Sequence, residues 1–168
     1  IVNGHDSHLA SALAQGCWTP IEHFGLGDWQ AQQVAADGSQ FEVYFQGQHL
    51  GRVEWSLLGQ HNVLNGLAAI AAARHVGVPP AEAIRALAGF IGVKRRLELR
   101  GQVNGVQVYD DFAHHPTAIA TTIAGLRAHH SGRILAILEP RSNTMKRGVF
   151  KDSLAPALAG AELAFLYQ

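Results

Sequence analysis

Two carboxylates and two imidazoles fall within six residues at Asp110-Asp111-Phe112-Ala113-His114-His115, just after the apolar alternation of residues 106–109 and just before Pro116-Thr117. A strand that ends in such groups and leads into a helix puts them at the carboxyl edge of an α/β sheet, where these folds bind ligands. The helix that starts near Pro116 offers unpaired backbone N–H groups and a positive dipole end, so a phosphate or carboxylate is favoured there. Asp111 suits ribose hydroxyls or a metal ion. Asp110, Asp111 and His115 are equally residue types that cap a following helix. A second polar loop follows Leu138, with Glu139, Arg141, Asn143 and Lys146. Arg141 and Lys146 suit a carboxylate, Arg being preferred where the grip is bidentate.

Asn62 and Asn65 stand three apart in a helically patterned segment and so share a face. Two amides there match the donor and acceptor pattern of an adenine edge, while an N-cap at Asn62 and a solvated Asn65 fit the same spacing. Arg95 and Arg96 lie in a basic stretch, Lys94-Arg95-Arg96, that suits phosphates or a solvated loop. His129-His130 falls at a helix end, where a cation complements the dipole. The sequence has no H-E-x-x-H, and with a single cysteine, Cys17, it has neither a Cys-based zinc site nor a disulfide framework. A reducing cytoplasm fits.

The positioning elements follow from periodicity. Residues 1–3 read as the tail of a strand, and Asp6 or Ser7 caps a short helix carrying Leu9 and Leu13. From 29 to 58 the pattern alternates, with Phe41, Val43 and Phe45 on one side and Glu42, Tyr44 and Gln46 on the other, punctuated by Asp37-Gly38-Ser39 and Gly47-Gln48. This predicts a small antiparallel sheet. Helical spacing over 59–75 aligns Leu64, Leu67, Ala68 and Ala71, and Pro79-Pro80 opens a second helix with Ile84, Leu87 and Ile91. The basic stretch after Gly92 marks a domain boundary, giving domains 1–96 and 97–168. Asn104-Gly105 predicts a hairpin. The order then becomes strand to 111, helix 116–130, strand 133–138, helix near 149–158 and strand 162–167. Such βαβαβ order implies a parallel sheet, and it brings the loops after Val108 and Leu138 to one edge.

Composition limits the partners. With 168 residues, 48% of them hydrophobic and 15% charged, the chain can bury one core or two small ones. Thirteen Lys+Arg balance thirteen Asp+Glu, which excludes the basic footprint of a nucleic-acid binder but not a nucleotide. The longest apolar run, 67–73, falls far short of the roughly 18 residues of a membrane span.

Three segments in order carry a family resemblance: Gly59-x-His61-Asn62-x-x-Asn65-x-x-Ala68-Ala69, Lys94-Arg95-Arg96-Leu97-Glu98, and Tyr109-Asp110-Asp111-Phe112-Ala113-His114-His115-Pro116-Thr117. Together they resemble the Mur ligases of bacterial peptidoglycan synthesis. Gly16-Cys17-Trp18 and Leu138-Glu139-Pro140-Arg141-Ser142-Asn143-Thr144-Met145-Lys146 narrow the likeness to the branch that rejoins recycled tripeptide, L-alanyl-γ-D-glutamyl-meso-diaminopimelate, to UDP-N-acetylmuramate. The resemblance implies an α/β fold: the end of a central ATPase domain, then the start of a Rossmann-like C-terminal domain. It implies ATP and Mg²⁺ as cofactors and an acyl phosphate on the muramyl carboxylate, attacked by the peptide amine. By position in the family pattern, Asn62 and Asn65 would contact adenine, Arg96 the nucleotide near its phosphates, and Asp111 the ribose or triphosphate. His114, His115, Arg141, Asn143 and Lys146 would lie toward the peptide. No catalytic residue and no metal ligand is assigned, and neither nucleic acid nor membrane is a partner.

Nothing in the sequence matches G-x-x-x-x-G-K-[S/T], and no UDP-sugar domain is evident, so the chain reads as a fragment that lacks its N-terminal and phosphate-loop regions. These residues alone are expected to release no ADP from ATP, Mg²⁺, UDP-N-acetylmuramate and tripeptide. The alternatives are the ligase that adds L-alanine to UDP-N-acetylmuramate, which usually has Tyr-Gly where Phe112-Ala113 stands, and a non-catalytic nucleotide-binding or interaction module.

Overall fold

Alternation over residues 40–45 turns Phe41 and Val43 inward, where both are fully buried, and leaves Glu42 and Tyr44 on the outer face. That strand is the middle of the first of two units in the computed structural model, which describes residues 1–167. The first unit comprises Ile1–Ser56 and Gln60–Ile91; the second comprises Leu57–Gly59 and the chain from Gly92 onward.

The first unit begins with β1 (Val2–Asn3) and α1 (Ser7–Leu13), capped by the Asp6 carboxylate, which accepts from His8 and Leu9 N–H. After β2 (His23–Phe24), the strands β3 (Trp29–Gln33), β4 (Gln40–Phe45) and β5 (Gln48–Glu54) form the expected antiparallel meander. Gln46 and Gly47 make its tight turn, both at positive φ, 49° and 79°. The sheet is larger than the alternation predicts. β1, β2 and β3 pair in parallel, giving the five-stranded order β1-β2-β3-β4-β5. Strands of two residues are too short to show a period of two.

Two helices, α2 (Gln60–His75) and α3 (Pro80–Ala88), complete this unit. Val63, Leu67, Ile70, Ala71 and Ile84 join Trp29, Phe41, Val43 and Val53 in one core. The buried stripe of α2 is turned from the expected one and centres on Val63, Gly66, Leu67 and Ile70. Gly66 explains the turn: a Cβ there would lie 2.9 Å from Trp55 Cη2 and 3.2 Å from Phe41 Cζ, so the bare backbone is what admits the two rings. Asn62 lies inside the first turn of α2, not at its N-cap.

The second unit opens with the hairpin β6 (Glu98–Val103) and β7 (Val106–Asp110), turned by Asn104 and Gly105 at φ 50° and 79°. α4 (Pro116–His129) follows, with His115 as N-cap and Pro116 at its first turn. Next come β8 (Leu135–Leu138), a short α5 (Asn143–Lys146) that the sequence pattern does not predict, α6 (Lys151–Leu158) and β9 (Leu163–Leu166). β8 and β9 pair in parallel, Leu135 opposite Leu163 through Leu138 opposite Leu166. Arg127 closes this end of the unit by donating to Gly132 O, Gly160 O and Glu162, at 2.7, 3.1 and 2.6 Å.

One expectation fails here. The three-stranded parallel sheet is not formed among the described residues: β7 pairs only with β6, and the parallel ladder holds β8 and β9 alone. The Asn-Gly turn closes a local antiparallel ladder on β7, while βαβ order says nothing about which strand edge meets which. Ile119, Ile123, Met145, Ala157 and Leu158 form the core of this unit. No helix among the described residues is long and apolar enough to cross a membrane.

Candidate functional site

The segment between β7 and α4 is held from within the second unit. Asp111 Oδ2 accepts from Leu97 N–H at 2.8 Å, and Oδ1 accepts from Ala113 N–H at 2.7 Å and from the Thr122 hydroxyl at 3.5 Å. Its carboxylate therefore joins the turn at 95–97, its own loop and the body of α4. Phe112 N–H donates back to Arg95 O at 2.8 Å, closing the interlock. Arg95 and Leu97 both take left-handed backbone, at φ 60° and 48°, a region that L-residues occupy only when their surroundings hold them there.

The two arginines separate. Arg95 Nε reaches Asp110 at 3.4 Å, and its guanidinium lies 5.1 Å from the Phe112 ring centre, a cation–π contact. Arg96 is exposed and, among the described residues, is in no ion pair. Arg95 N–H, with Arg100 beside it, holds the Glu98 carboxyl below its ordinary range, so an ionised Glu98 also braces the turn.

The adjacent histidines are locked differently. His114 Nδ1 lies 2.9 Å from Phe112 O, an acceptor only, so this nitrogen carries the hydrogen and Nε2 of the neutral ring is an acceptor. His115 Nδ1 accepts from Thr117 N–H at 3.3 Å, which places the hydrogen of its neutral ring on Nε2. One ring thus presents an acceptor and its neighbour a donor. His115 also packs edge-on against Phe150 at 4.5 Å.

The loop after β8 starts from the core that also supports the segment after β7. Ala113 and Leu138 both pack against the cluster that holds buried Met145, so the two loops share one support. Ser142 caps α5 by accepting from Met145 N–H at 3.3 Å, leaving Arg141, Asn143 and Lys146 exposed around it. Near the C-terminal end of β7, Tyr109 O–H meets Nε2 of His130, the C-cap of α4, at 2.9 Å, and burial pushes the phenol up from its ordinary value. Strand and helix are therefore joined through Asp111 and Thr122 in the body of α4 and through Tyr109 and His130 at its C-terminal end.

Asn62 and Asn65 belong to the first unit, where Asn65 Nδ2 donates to Asn62 Oδ1 at 3.4 Å, so the two amides do share a face. Thr122 is the residue that the sequence reading missed; a threonine in mid-helix carries no signal of a carboxylate eleven residues back. Leu97 was equally invisible, since it contributes through its backbone. No three His, Cys, Asp or Glu side chains among the described residues converge as a metal cage. With Asp111 bonded to three donors, these residues do not fit a Mg²⁺ site of their own.

The profile described as Mur ligase, glutamate ligase domain, matches residues 95–168. The chain is 57% identical over 98% of its length to the UDP-N-acetylmuramate–L-alanyl-γ-D-glutamyl-meso-2,6-diaminoheptandioate ligase of Escherichia coli K12, and spans 36% of that relative. It is 43% identical over 68% of its length to a UDP-N-acetylmuramate–L-alanine ligase of Desulforamulus reducens, spanning 25% of it. Among solved structures, the murein peptide ligase of Psychrobacter arcticus 273-4 superposes with a TM-score of 0.70 at 46% identity, over 99% of this chain and 36% of that one. The chain thus spans about a third of the length of the first of these relatives.

Proposed function

Because the chain belongs to the Mur ligase family, we propose that it acts in an ATP-dependent ligation joining L-alanyl-γ-D-glutamyl-meso-diaminopimelate to UDP-N-acetylmuramate in peptidoglycan recycling. The observation that carries this reading is the 57% identity along nearly the whole chain to a relative named for that tripeptide. The L-alanine ligase is the weaker alternative, since the likeness to such relatives is 43% over 68% of the chain or 35% over 88%, against 57% over 98%. Residues 1–96 then serve as the later part of an ATP-binding domain and 97–168 as the first part of the ligase domain, in the cytoplasm.

In this reaction the muramyl carboxylate takes the γ-phosphoryl group of ATP, and ADP leaves. The peptide nitrogen then attacks the acyl carbon, the amide bond forms, inorganic phosphate departs and the nitrogen loses its proton. Bound Mg²⁺ would offset charge on the phosphates. Asn62 and Asn65 take the adenine edge by donating and accepting from one face. Arg96 offers the free guanidinium to the phosphates, and the remaining acceptor capacity of Asp111 faces the nucleotide. His114 presents its Nε2 acceptor to the incoming amine, and His115 its Nε2–H donor to a peptide carboxylate. Arg141, Asn143 and Lys146 hold the peptide's anionic end.

The test is product formation by the polypeptide that carries this sequence, supplied with ATP, Mg²⁺, UDP-N-acetylmuramate and equal tripeptide and L-alanine. UDP-N-acetylmuramyl-tripeptide by mass spectrometry, with matching ADP, is the expected result. A product built on free L-alanine would overturn the reading in favour of the alternative.

A further inference from the structure

His115 is exposed, yet its imidazole is held twice, once by its own helix and once by a ring from another loop. As N-cap of α4 its Nδ1 accepts from Thr117 N–H at 3.3 Å. The Phe150 ring lies 4.5 Å away, centre to centre, tilted 72° to the imidazole. A single hydrogen bond leaves an imidazole free to rock about it, because the χ2 well of such a ring is broad. An aromatic neighbour at this distance and tilt removes that freedom, through a contact favourable beyond the area it buries. Phe150 is itself anchored. Its side chain packs, partly buried, against the core around Ile119, Ile123 and Met145, and its carbonyl accepts from Ser153 and Leu154 N–H at 3.1 and 2.9 Å in the first turn of α6. His114 differs, since the ring beside it, Phe112, is exposed and belongs to the same loop.

We propose that Phe150 is a positioning residue for His115: set between the core of the second unit and the imidazole, it fixes the ring so that Nε2–H is aimed, as a donor, at a carboxylate of the incoming peptide. That the ligand is a peptide rests on the ligase reading above; the ring lock itself does not. With Nδ1 engaged as an acceptor, the neutral ring carries its hydrogen on Nε2. A hydrogen bond weakens steeply once donor, hydrogen and acceptor leave their line, so a rocking ring binds the peptide less well. Phosphoryl transfer to the muramyl carboxylate precedes the peptide's attack and does not call on this donor. Phe150 also follows α5, so the same ring ties His115 to the segment that carries Arg141, Asn143 and Lys146.

A mutant cycle in the ligation assay, run on the polypeptide that carries this sequence, separates positioning from packing. His115→Asn keeps the cap, because its side-chain oxygen accepts from Thr117 N–H, and deletes the Nε2 donor. The KM for tripeptide should rise about tenfold, the scale of one hydrogen bond to a charged group. Phe150→Leu removes the ring and keeps most of the apolar volume. It should raise the same KM about three- to tenfold, the scale of one aromatic pair, with kcat and the KM for ATP changed by less than about twofold. The double variant should match His115→Asn alone, because Phe150 acts through His115; factors that multiply overturn the proposal. Phe150→Tyr retains the ring and should stay within about twofold of wild type, whereas a rise equal to that of Phe150→Leu also overturns it. Far-UV circular dichroism establishes that each variant is folded at the assay temperature, and Phe150→Met, whose flexible chain refills the core side, replaces Phe150→Leu if that variant is not. NMR reads the ring without turnover. With histidine nitrogens labelled, at about pH 8.5, where an imidazole of ordinary pKa is neutral, wild-type His115 should show one tautomer, protonated at Nε2. In the ring deletion both nitrogens should move toward the average of the two tautomers, and exchange of the Thr117 amide should quicken at least about threefold. Either one unchanged overturns the lock, while a wild-type protein that makes no UDP-N-acetylmuramyl-tripeptide overturns the ligase reading alone.

Discussion

Gly125 lies on the buried face of α4, and a Cβ added there would sit 3.1 Å from Gly59 Cα, 3.4 Å from Gly59 N and 3.6 Å from the Leu58 carbonyl carbon. All three neighbours are backbone, so no side chain can swing aside. Carbon atoms prefer separations of about 3.5–4.0 Å, so the helix and the strip at 58–59 must part by roughly half an ångström. Gly59 itself has φ 91°, a conformation open to glycine and rare for other residues. Gly125→Ala removes the helix cost of glycine, worth about 0.8–1.0 kcal/mol, and adds an overpacking cost of roughly 1–3 kcal/mol. The balance is a destabilisation of about 1 kcal/mol, which for a unit of this size lowers the melting temperature by roughly 4–8 °C. Thermal unfolding followed by far-UV circular dichroism measures it. Trp18, Trp29 and Trp55 all belong to the first unit, so tryptophan fluorescence reads that unit separately. Gly89→Ala is the control, since its Cβ would meet only Ala86 O at 3.6 Å at φ −87°; it should stabilise by about 0.4–1 kcal/mol. A Gly125→Ala protein that melts at or above the wild-type temperature would refute the close-contact argument.

Other outcomes follow from the same geometry. His23 N–H, donating at 2.9 Å, holds the Asp28 carboxyl below its ordinary range, with Gln46 adding a second contact. Its folded pKa is depressed, so the stabilisation is present above the ordinary carboxylate value of about 4 and is lost as pH falls through the folded value; urea midpoints across that window should fall less steeply in Asp28→Asn. Arg74 lies 4.3 Å over the Phe45 ring and 3.1 Å from Glu22, both partly exposed contacts, so Arg74→Ala should cost about 1 kcal/mol and change the emission of the neighbouring Trp29. Arg95→Ala should destabilise the second unit by about 0.5–1.5 kcal/mol, and Arg96→Ala by less than about 0.5 kcal/mol, in the same denaturation experiment.

The elements most legible in the sequence are those whose own residues impose their geometry. The Asn104-Gly105 turn, the alternation through Phe41 and Val43 and the proline at the start of each of α3 and α4 are all local devices, and each appears where its chemistry places it, while the turn expected at Gly47-Gln48 forms one residue earlier, at Gln46-Gly47. What was not legible depended on distant partners. The stripe of α2 turned because Gly66 receives Trp55 and Phe41, rings supplied by β4 and by the residue that follows β5. β7 stayed out of the parallel ladder because strand order along the chain does not choose which edges pair.

The same distinction explains the site. Residue types singled out the loops as candidates, but types alone could not divide Arg95 from Arg96, or capping from binding at Asp111. Those choices were made by backbone atoms. Phe112 N–H selects Arg95 O, and Leu97 N–H selects Asp111 Oδ2. Neither donor has a side-chain signature. His114 and His115 make the point most sharply: identical side chains, one residue apart, are given opposite tautomers by a carbonyl in one case and an amide N–H in the other. Hydrogen bonding at this edge of the unit is therefore assigned by the backbone of the loop that precedes α4 and not by composition. A substitution that keeps every functional side chain but loosens that loop should disable the site as surely as removing one of them.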